Sequence, residues 1–218
     1  CLYTGRFTEA RRILQTFAAA RRNGLIPNLF NDRTGEAEYN TVDASLWFLH
    51  AACEYLRLSG DRAGFEGPIR EACLDIIEAY RAGTDHGIKM DPADGLIAAG
   101  DPSSQLTWMD AKRDGVVFTP RHGKPVEINA LWHHGLLSVA GAIQADDPAR
   151  AAAMRAMAAT AAKSFSAFWN PVLGCCHDVL VPAPGGRWLP DPAVRPNQVF
   201  AASLEHSPLS ATQRAAVV

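Results

Sequence analysis

The sequence predicts an all-α fold of paired helices arranged in two layers, an α/α toroid, and three observations carry that reading. Helices with one apolar stripe alternate along the chain with helices that are apolar nearly all round. A helix of the first kind lies on a surface, and one of the second kind is buried on every side. Long loops precede the buried helices. Finally, Val42-Asp43-Ala44-Ser45-Leu46-Trp47 is echoed by Glu127-Ile128-Asn129-Ala130-Leu131-Trp132, each placing a polar residue near a helix start and Leu-Trp just after it.

Taken in order, a helix over about Thr8 to Arg22 has Ala10, Ile13, Leu14, Phe17 and Ala18 on one face and Arg11, Arg12 and Arg21 on the other, with Asn23-Gly24 as its stop. The second, about Thr41 to Ser59, runs Leu46, Trp47, Phe48, Leu49, Ala51, Ala52, Cys53, Tyr55 and Leu56 with almost no polar side. The third, about Gly67 to Arg81, is amphipathic, with Pro68 in its first turn. A connection from Gly83 to Pro125 follows, and helix-free connections beyond about 15 residues are usually functional or disordered; the Trp108 region and the apolar Gly95-to-Gly100 segment mark this one as ordered. The fourth helix, about Val126 to Gln144, is again apolar all round, and the fifth, about Pro148 to Trp169, is Ala-rich with Asp147 as N-cap. Alternating Cys176, Asp178 and Leu180 fit a hairpin strand, Asn197 to Glu205 a sixth helix, and Ser207-Pro208 the start of a seventh.

The 218 residues suffice for one sizeable core. A net charge of −2 gives no reason to expect nucleic acid, and no apolar run reaches the 18 or so residues of a membrane span. The five cysteines form no CxxC pair, which argues against a zinc ribbon or redox motif, and Cys53 and Cys73 on apolar faces fit reduced core thiols in a cytoplasmic protein. No nucleotide-cofactor loop, GxSxG elbow or metal-ligand spacing occurs, so no cofactor or metal is expected. A start at Cys1 rather than Met and an end at Val217-Val218 inside a helical pattern lead us to expect residues 1–218 to be a fragment of a single domain.

Aromatic faces, carboxylates and amides gathered at helix mouths suit a carbohydrate, whose CH faces stack on indoles and whose hydroxyls bond to carboxylates and amides. Thr107-Trp108-Met109-Asp110-Ala111-Lys112, then Thr119-Pro120-Arg121-x-Gly123-Lys124-x-Val126-Glu127-Ile128-Asn129-Ala130-Leu131-Trp132, supply that set. With Tyr39-Asn40-Thr41-Val42-Asp43 and Arg195-Pro196-Asn197-Gln198, they resemble the amylo-α-1,6-glucosidase part of glycogen debranching enzymes over nearly the whole chain. The resemblance implies a six-pair (α/α)6 toroid, of which about seven helices would be a partial ring. It further implies hydrolysis of the α-1,6-linked glucose stub of glycogen or a related branched α-glucan, with the Asp of Thr-Trp-Met-Asp, Asp110, as general acid and the base downstream of this chain. Ala111 and His133-His134 are departures from the family pattern that leave this acid untouched.

Glycoside hydrolysis uses two carboxylic acids, and an indole beside a carboxyl supplies the low-dielectric setting that keeps an acid protonated; Asp110 beside Trp108 is placed for that. Asn40, Asp43, Trp108, Lys112, Arg121, Glu127, Asn129, Asn197 and Gln198 are the candidate substrate-binding residues. Each has a plainer role open: a helix-start charge for Asp43 and Glu127, a loop ion pair for Arg121, a cap for Asn197 and Gln198. Inner-helix N-termini meeting at one mouth would bring Asp43, Glu127 and Asn197 together. Two other readings stay open, a different toroid sugar enzyme such as a glucoamylase-like hydrolase or an epimerase, and a non-catalytic glucan-binding helical scaffold, because fold alone does not set function.

Overall fold

The computed structural model describes all of residues 1–218. Eight helices carry the fold: α1 (Phe7–Ala19), α2 (Ala44–Ser59), α3 (Arg62–Phe65), α4 (Pro68–Ala82), α5 (Val126–Ile143), α6 (Pro148–Ser164), α7 (Gln198–Ser203) and α8 (Ala211–Val217). The helical class is as expected, and α5 is buried on nearly every side, but α2 buries only seven of its 16 residues and α7, expected to be buried all round, leaves Val199 and Ser203 exposed. Helix α5 packs against α2 on one side and α7 on the other; α1 and α4 back α2, α6 backs α5 and α8 backs α7. Fourteen of the 18 residues of α5 are buried, which makes it the central element. Trp132 on α5 is fully buried and stacks on Tyr80 of α4 at 6.1 Å between ring centroids, and its indole N–H donates to the Gly95 carbonyl at 3.1 Å.

Helix ends follow local chemistry. Helix α1 stops at Ala19, short of the expected Arg22, because the chain folds into a tight Arg22–Leu25 turn with Asn23 and Gly24 at positive φ. Gly24 is needed there twice over, since a Cβ would stand 2.1 Å from Cβ of Ala79. Helix α6 gives way at Ser164 to a 3-10 turn, Phe165–Phe168, before the expected Trp169. In a 3-10 turn positions i and i+3 eclipse, so both Phe165 and Phe168 are buried, 4.8 Å apart. Ser207-Pro208 does not open the last helix. The Ser207 hydroxyl donates to the Ala201 carbonyl, and Ser210 with Gln213 forms the capping box that starts α8.

The long connections are ordered by short strands: β1 (Leu29–Phe30) with β2 (Ala37–Glu38), β3 (Lys89–Met90) with β4 (Ile97–Ala98), β5 (Lys112–Arg113) with β6 (Val116–Val117), and, beyond β7 (Lys124–Pro125), β8 (Trp169–Asn170) with β9 (Cys175–Cys176). One three-stranded sheet, ordered β11 (Arg187–Pro190), β10 (Val179–Ala183), β7, sits at the mouth of α5. Its register sets Lys124 opposite Leu180 and Pro125 opposite Val179, and the Val126 amide donates to the Asp178 carbonyl at 2.9 Å. Gly123, at φ 109°, lies so close to this strand that a Cβ would stand 2.4 Å from the Leu180 carbonyl oxygen. The strand expected around Cys176–Leu180 therefore exists as two pieces, β9 and β10, with Asp178 held at the break between them.

All five cysteines are free, and burial pushes the Cys53 thiol up to about 12. No helix is long and apolar enough to cross a membrane. Replacing Trp132 by Ala removes the largest fully buried side chain and is expected to lower the unfolding free energy by about 3–5 kcal/mol; urea titration of the two proteins checks it.

Candidate active site

The N-terminal ends of α2, α5 and α7 meet the loop 101–125, and the Val42 amide, just ahead of α2, donates to the Leu106 carbonyl at 2.8 Å. A narrow crevice of about 10 Å3 opens there between Val42, Leu106, Thr107, Met109, Arg121 and His122, room for little more than one water. It is far smaller than the roughly 300–1,000 Å3 of ligand sites. The largest groove on the protein lies elsewhere, between α4 and α6.

Arg121 is the centre of the polar structure. Its guanidinium forms a two-pronged pair with Glu127 through Nη1 on Oε1 and Nη2 on Oε2 (2.5 Å), and meets Asp178 through Nε (2.8 Å) and Nη2 (3.0 Å). All three side chains are at most 2% exposed. Arg195 adds a second cation on Asp178 at 2.9 Å, so two guanidinium groups face two carboxylates. Burial works against the Arg121 charge, but Glu127 and Asp178 outweigh it and hold its pKa above the ordinary value.

From Asp178 the network continues into Asn197, which is fully buried. Its Nδ2 donates to Asp178 at 2.7 Å and to the Met109 sulfur at 3.4 Å, while its Oδ1 accepts from the Trp108 indole at 2.8 Å. Asn197 therefore makes no side-chain cap on α7, which was the plainer alternative. Trp108 has its N–H pinned yet is 55% exposed, so it is not loop core. Burial raises the pKa of Asp43, at the start of α2, with the Thr41 hydroxyl and the backbone amides of Asp43, Ala44 and Trp108 opposing the rise. Asp43, Trp108, Asn197, Arg121 and Glu127, far apart in sequence, thus share one mouth.

Several sequence expectations need correction in detail. Both Glu127 oxygens are taken by Arg121, so this carboxylate is an internal counter-charge and does not face a sugar. Arg121 is turned inward for the same reason. Asn129 is fully buried and spends its amide on the Ile97 amide and on the Ile97 and Pro125 carbonyls, pinning β4 to α5. Gln198 accepts from the Cys176 amide and donates to the Arg195 carbonyl, bracing β9. Asn40 is exposed, and Lys112 stands exposed on the β5–β6 hairpin. Asp110 is exposed rather than sheltered by Trp108; with the indole edge turned to Asn197, the ring does not cover the carboxyl from water.

Asp178, Lys124 and a histidine group were not foreseen. Lys124 is fully buried, bonded to Asp91 at 2.7 Å and Asp94 at 2.6 Å and seated 4.1 Å from the Trp188 ring centroid. His50 on α2 and His134 on α5 meet nitrogen to nitrogen at 3.0 Å, next to His206, His133, Glu54 and Arg57. His50 is seven residues beyond Asp43, about 10 Å along the helix, so the pair lies away from the mouth where an epimerase would need it. The backbone amide of His206 donates to Nδ1 of His134 at 3.4 Å, which assigns the proton of the neutral ring to Nε2, facing His50.

Across the whole chain the fold is shared with carbohydrate enzymes. The rhamnosidase from Klebsiella oxytoca with rhamnose bound superposes with a TM-score of 0.66 over 97% of this chain and 37% of that one, at 18% identity. The GH78 family rhamnosidase of Bacillus sp. GL1 gives 0.67 over 98% of this chain and 20% of that one, at 20% identity. The profile of the family described as amylo-alpha-1,6-glucosidase matches residues 1–218, and the chain belongs to that family, one of glycoside hydrolases. The glycogen debranching enzyme of Saccharomyces cerevisiae is 28% identical over an alignment that covers 62% of this chain and 12% of that protein. The chain thus spans about an eighth of that relative's length.

Arg121→Ala strips two buried carboxylates of their shared cation and is expected to cost about 3–5 kcal/mol, measured by chemical denaturation; Arg121→Lys should recover little, because an ammonium cannot supply the paired bonds to Glu127 together with the two to Asp178. A second expectation concerns acid. Burial, with His50 and His206 nearby, pushes His134 down to about 4 from 6.5, and burial also lowers His50. A histidine kept neutral by the fold contributes fully above the unfolded value and loses that contribution as pH falls through the window from 6.5 to 4. His134→Gln is expected to flatten the loss of stability in that window, read from denaturation midpoints at a series of pH values.

Proposed function

We propose that residues 1–218 form the acid-bearing part of an α-1,6-glucosidase site that removes the single glucose left at a branch point of glycogen or a related α-glucan. The observation that supports this most is the Trp108–Asp110 segment: a half-exposed indole with its edge anchored in the buried network, two residues from an unshielded carboxyl, at the meeting of three helix N-termini. Trp108 offers its face to a glucose ring. Asp43, half-buried at the same mouth, and exposed Asn40 and Lys112 are within the set that would meet sugar hydroxyls. Arg121, Glu127 and Asn197 serve from behind, by holding the loop that carries Trp108 and Asp110, while Asn129 and Gln198 brace β4 and β9.

In this reading Asp110 protonates the glycosidic oxygen as the bond to C1 lengthens, and a water attacks C1 from the opposite face. The carboxylate that takes the proton from that water lies outside this chain. The product is inverted at C1, and the two carboxyls stand roughly 6.5–9.5 Å apart, leaving room for the water. The bound glucan, lying over Trp108, completes the water-poor setting that the chain alone leaves open at Asp110. The paired layers α1/α4 on α2, α6 on α5 and α8 on α7 are, on the same proposal, part of a six-pair toroid in a single glucosidase domain of a cytoplasmic enzyme.

Asp110→Asn in the full-length protein is expected to cut glucose release from a branched limit dextrin by about 10²–10⁴-fold, the usual share of a general acid, with the circular-dichroism spectrum unchanged. Wild-type turnover by the Asn variant would remove Asp110 from the role.

A further inference from the structure

We infer that Asn197, oriented by Asp178, is a positioning residue that sets the Trp108-Met109-Asp110 segment. The inference rests on the glucosidase reading for what is positioned, not for the clamp itself.

The orientation of the Asn197 amide follows from which atoms around it can donate. An indole nitrogen only donates, a carboxylate only accepts, and a thioether is a weak acceptor. Asn197 faces one of each: the Trp108 indole at 2.8 Å, the Asp178 carboxylate at 2.7 Å and the Met109 sulfur at 3.4 Å. Only one orientation of the amide satisfies all three, with Oδ1 toward Trp108 and Nδ2 toward Asp178 and Met109. Turned over, it would set oxygen against the carboxylate and N–H against N–H. Asp178 is itself immobile, because Arg121 and Arg195 both grip it and its carbonyl accepts from the Val126 amide. The rigid end of the relay is therefore the mouth of α5, and its free end is the pair of side chains immediately before Asp110.

Asn197 holds two consecutive residues of one loop from about 90 positions downstream, and is itself fully buried, so it touches no substrate. Its grip on the indole edge leaves the ring face open to solvent. Its contact with the Met109 sulfur seats the side chain one residue before the carboxyl. Small displacements of a reacting group cost catalysis heavily, with about 10²-fold for 1 Å, and this arrangement prevents them.

The test is made on the full-length protein labelled with 5-fluorotryptophan. Trp108 is assigned by the fluorine signal lost in Trp108→Phe. Asn197→Asp keeps an acceptor for the indole but sets oxygen against Asp178. Asn197→Ser keeps a donor for Asp178 but is too short to reach the indole, and serves if the Asp variant does not fold. We expect either variant to move the Trp108 signal toward that of the free amino acid while the signals of Trp47, Trp132, Trp169 and Trp188 stay, and to raise KM for a branched α-glucan about 10-fold. A variant that is merely less stable would lower the active fraction and leave KM alone. An unmoved Trp108 signal in a folded variant overturns the clamp, and a moved signal with unchanged KM overturns its link to substrate. The fluorine spectra need no turnover, so an inactive wild-type protein would count against the glucosidase reading while the spectra still decide the clamp.

Discussion

The buried guanidinium of Arg121 is the constraint on which the rest of the mouth depends. It ties together the end of the loop 101–125, the first turn of α5 through Glu127, and the β9–β10 break through Asp178, adding side-chain bonds to the β7–β10 pairing there. Removing such charges from water is expensive, and a buried pair is justified mainly by the geometry it enforces. That geometry is specific here because the guanidinium makes paired bonds to Glu127 and two more to Asp178 at once, more than the three donors of an ammonium supply. Arg195 completes the neutrality and ties in the approach to α7.

Lys124, three residues on, repeats the device for the preceding loop. Its ammonium draws in Asp91 and Asp94 and rests on Trp188, and the Lys124 cation lowers the Asp91 carboxyl below its ordinary value against the opposing effect of burial. Between the two cations Gly123 lets the chain run flush against β10. The β7–β10–β11 sheet is small, but with these anchors it fixes how the 83–125 connection lies on the helical layer. Binding groups can then sit on loops and still be held in place, which is how loops come to carry function on a rigid scaffold.

Much of this was readable in the sequence. Apolar periodicity found the five long helices, because a face buried along many turns leaves a long signal. Asp43, Glu127 and Asn197 were picked out as one mouth from the rule that inner-helix N-termini converge, while Trp108 and Arg121 were candidates on residue type and family resemblance alone. What they do there was less readable. Glu127 and Arg121 are six apart, a spacing with no helical meaning, so nothing local showed that they neutralise each other instead of facing outward. Asn129 has the look of a mouth residue and is turned to the β4 backbone. Asp178 lies in an irregular break beside His177, where neither period 2 nor period 3.6 applies. Two-residue strands leave no pattern at all, and the His50–His134 contact joins two helices whose pairing only the fold reveals.

The central claim is that this mouth carries the acid of an inverting α-1,6-glucosidase. The most direct test follows, by proton NMR, the anomeric form of the first glucose released from a branched limit dextrin by the full-length protein. The account predicts β-glucose, appearing before mutarotation mixes the anomers. Release of α-glucose, or no glucose from α-1,6 stubs while another glycan is cleaved, would contradict it.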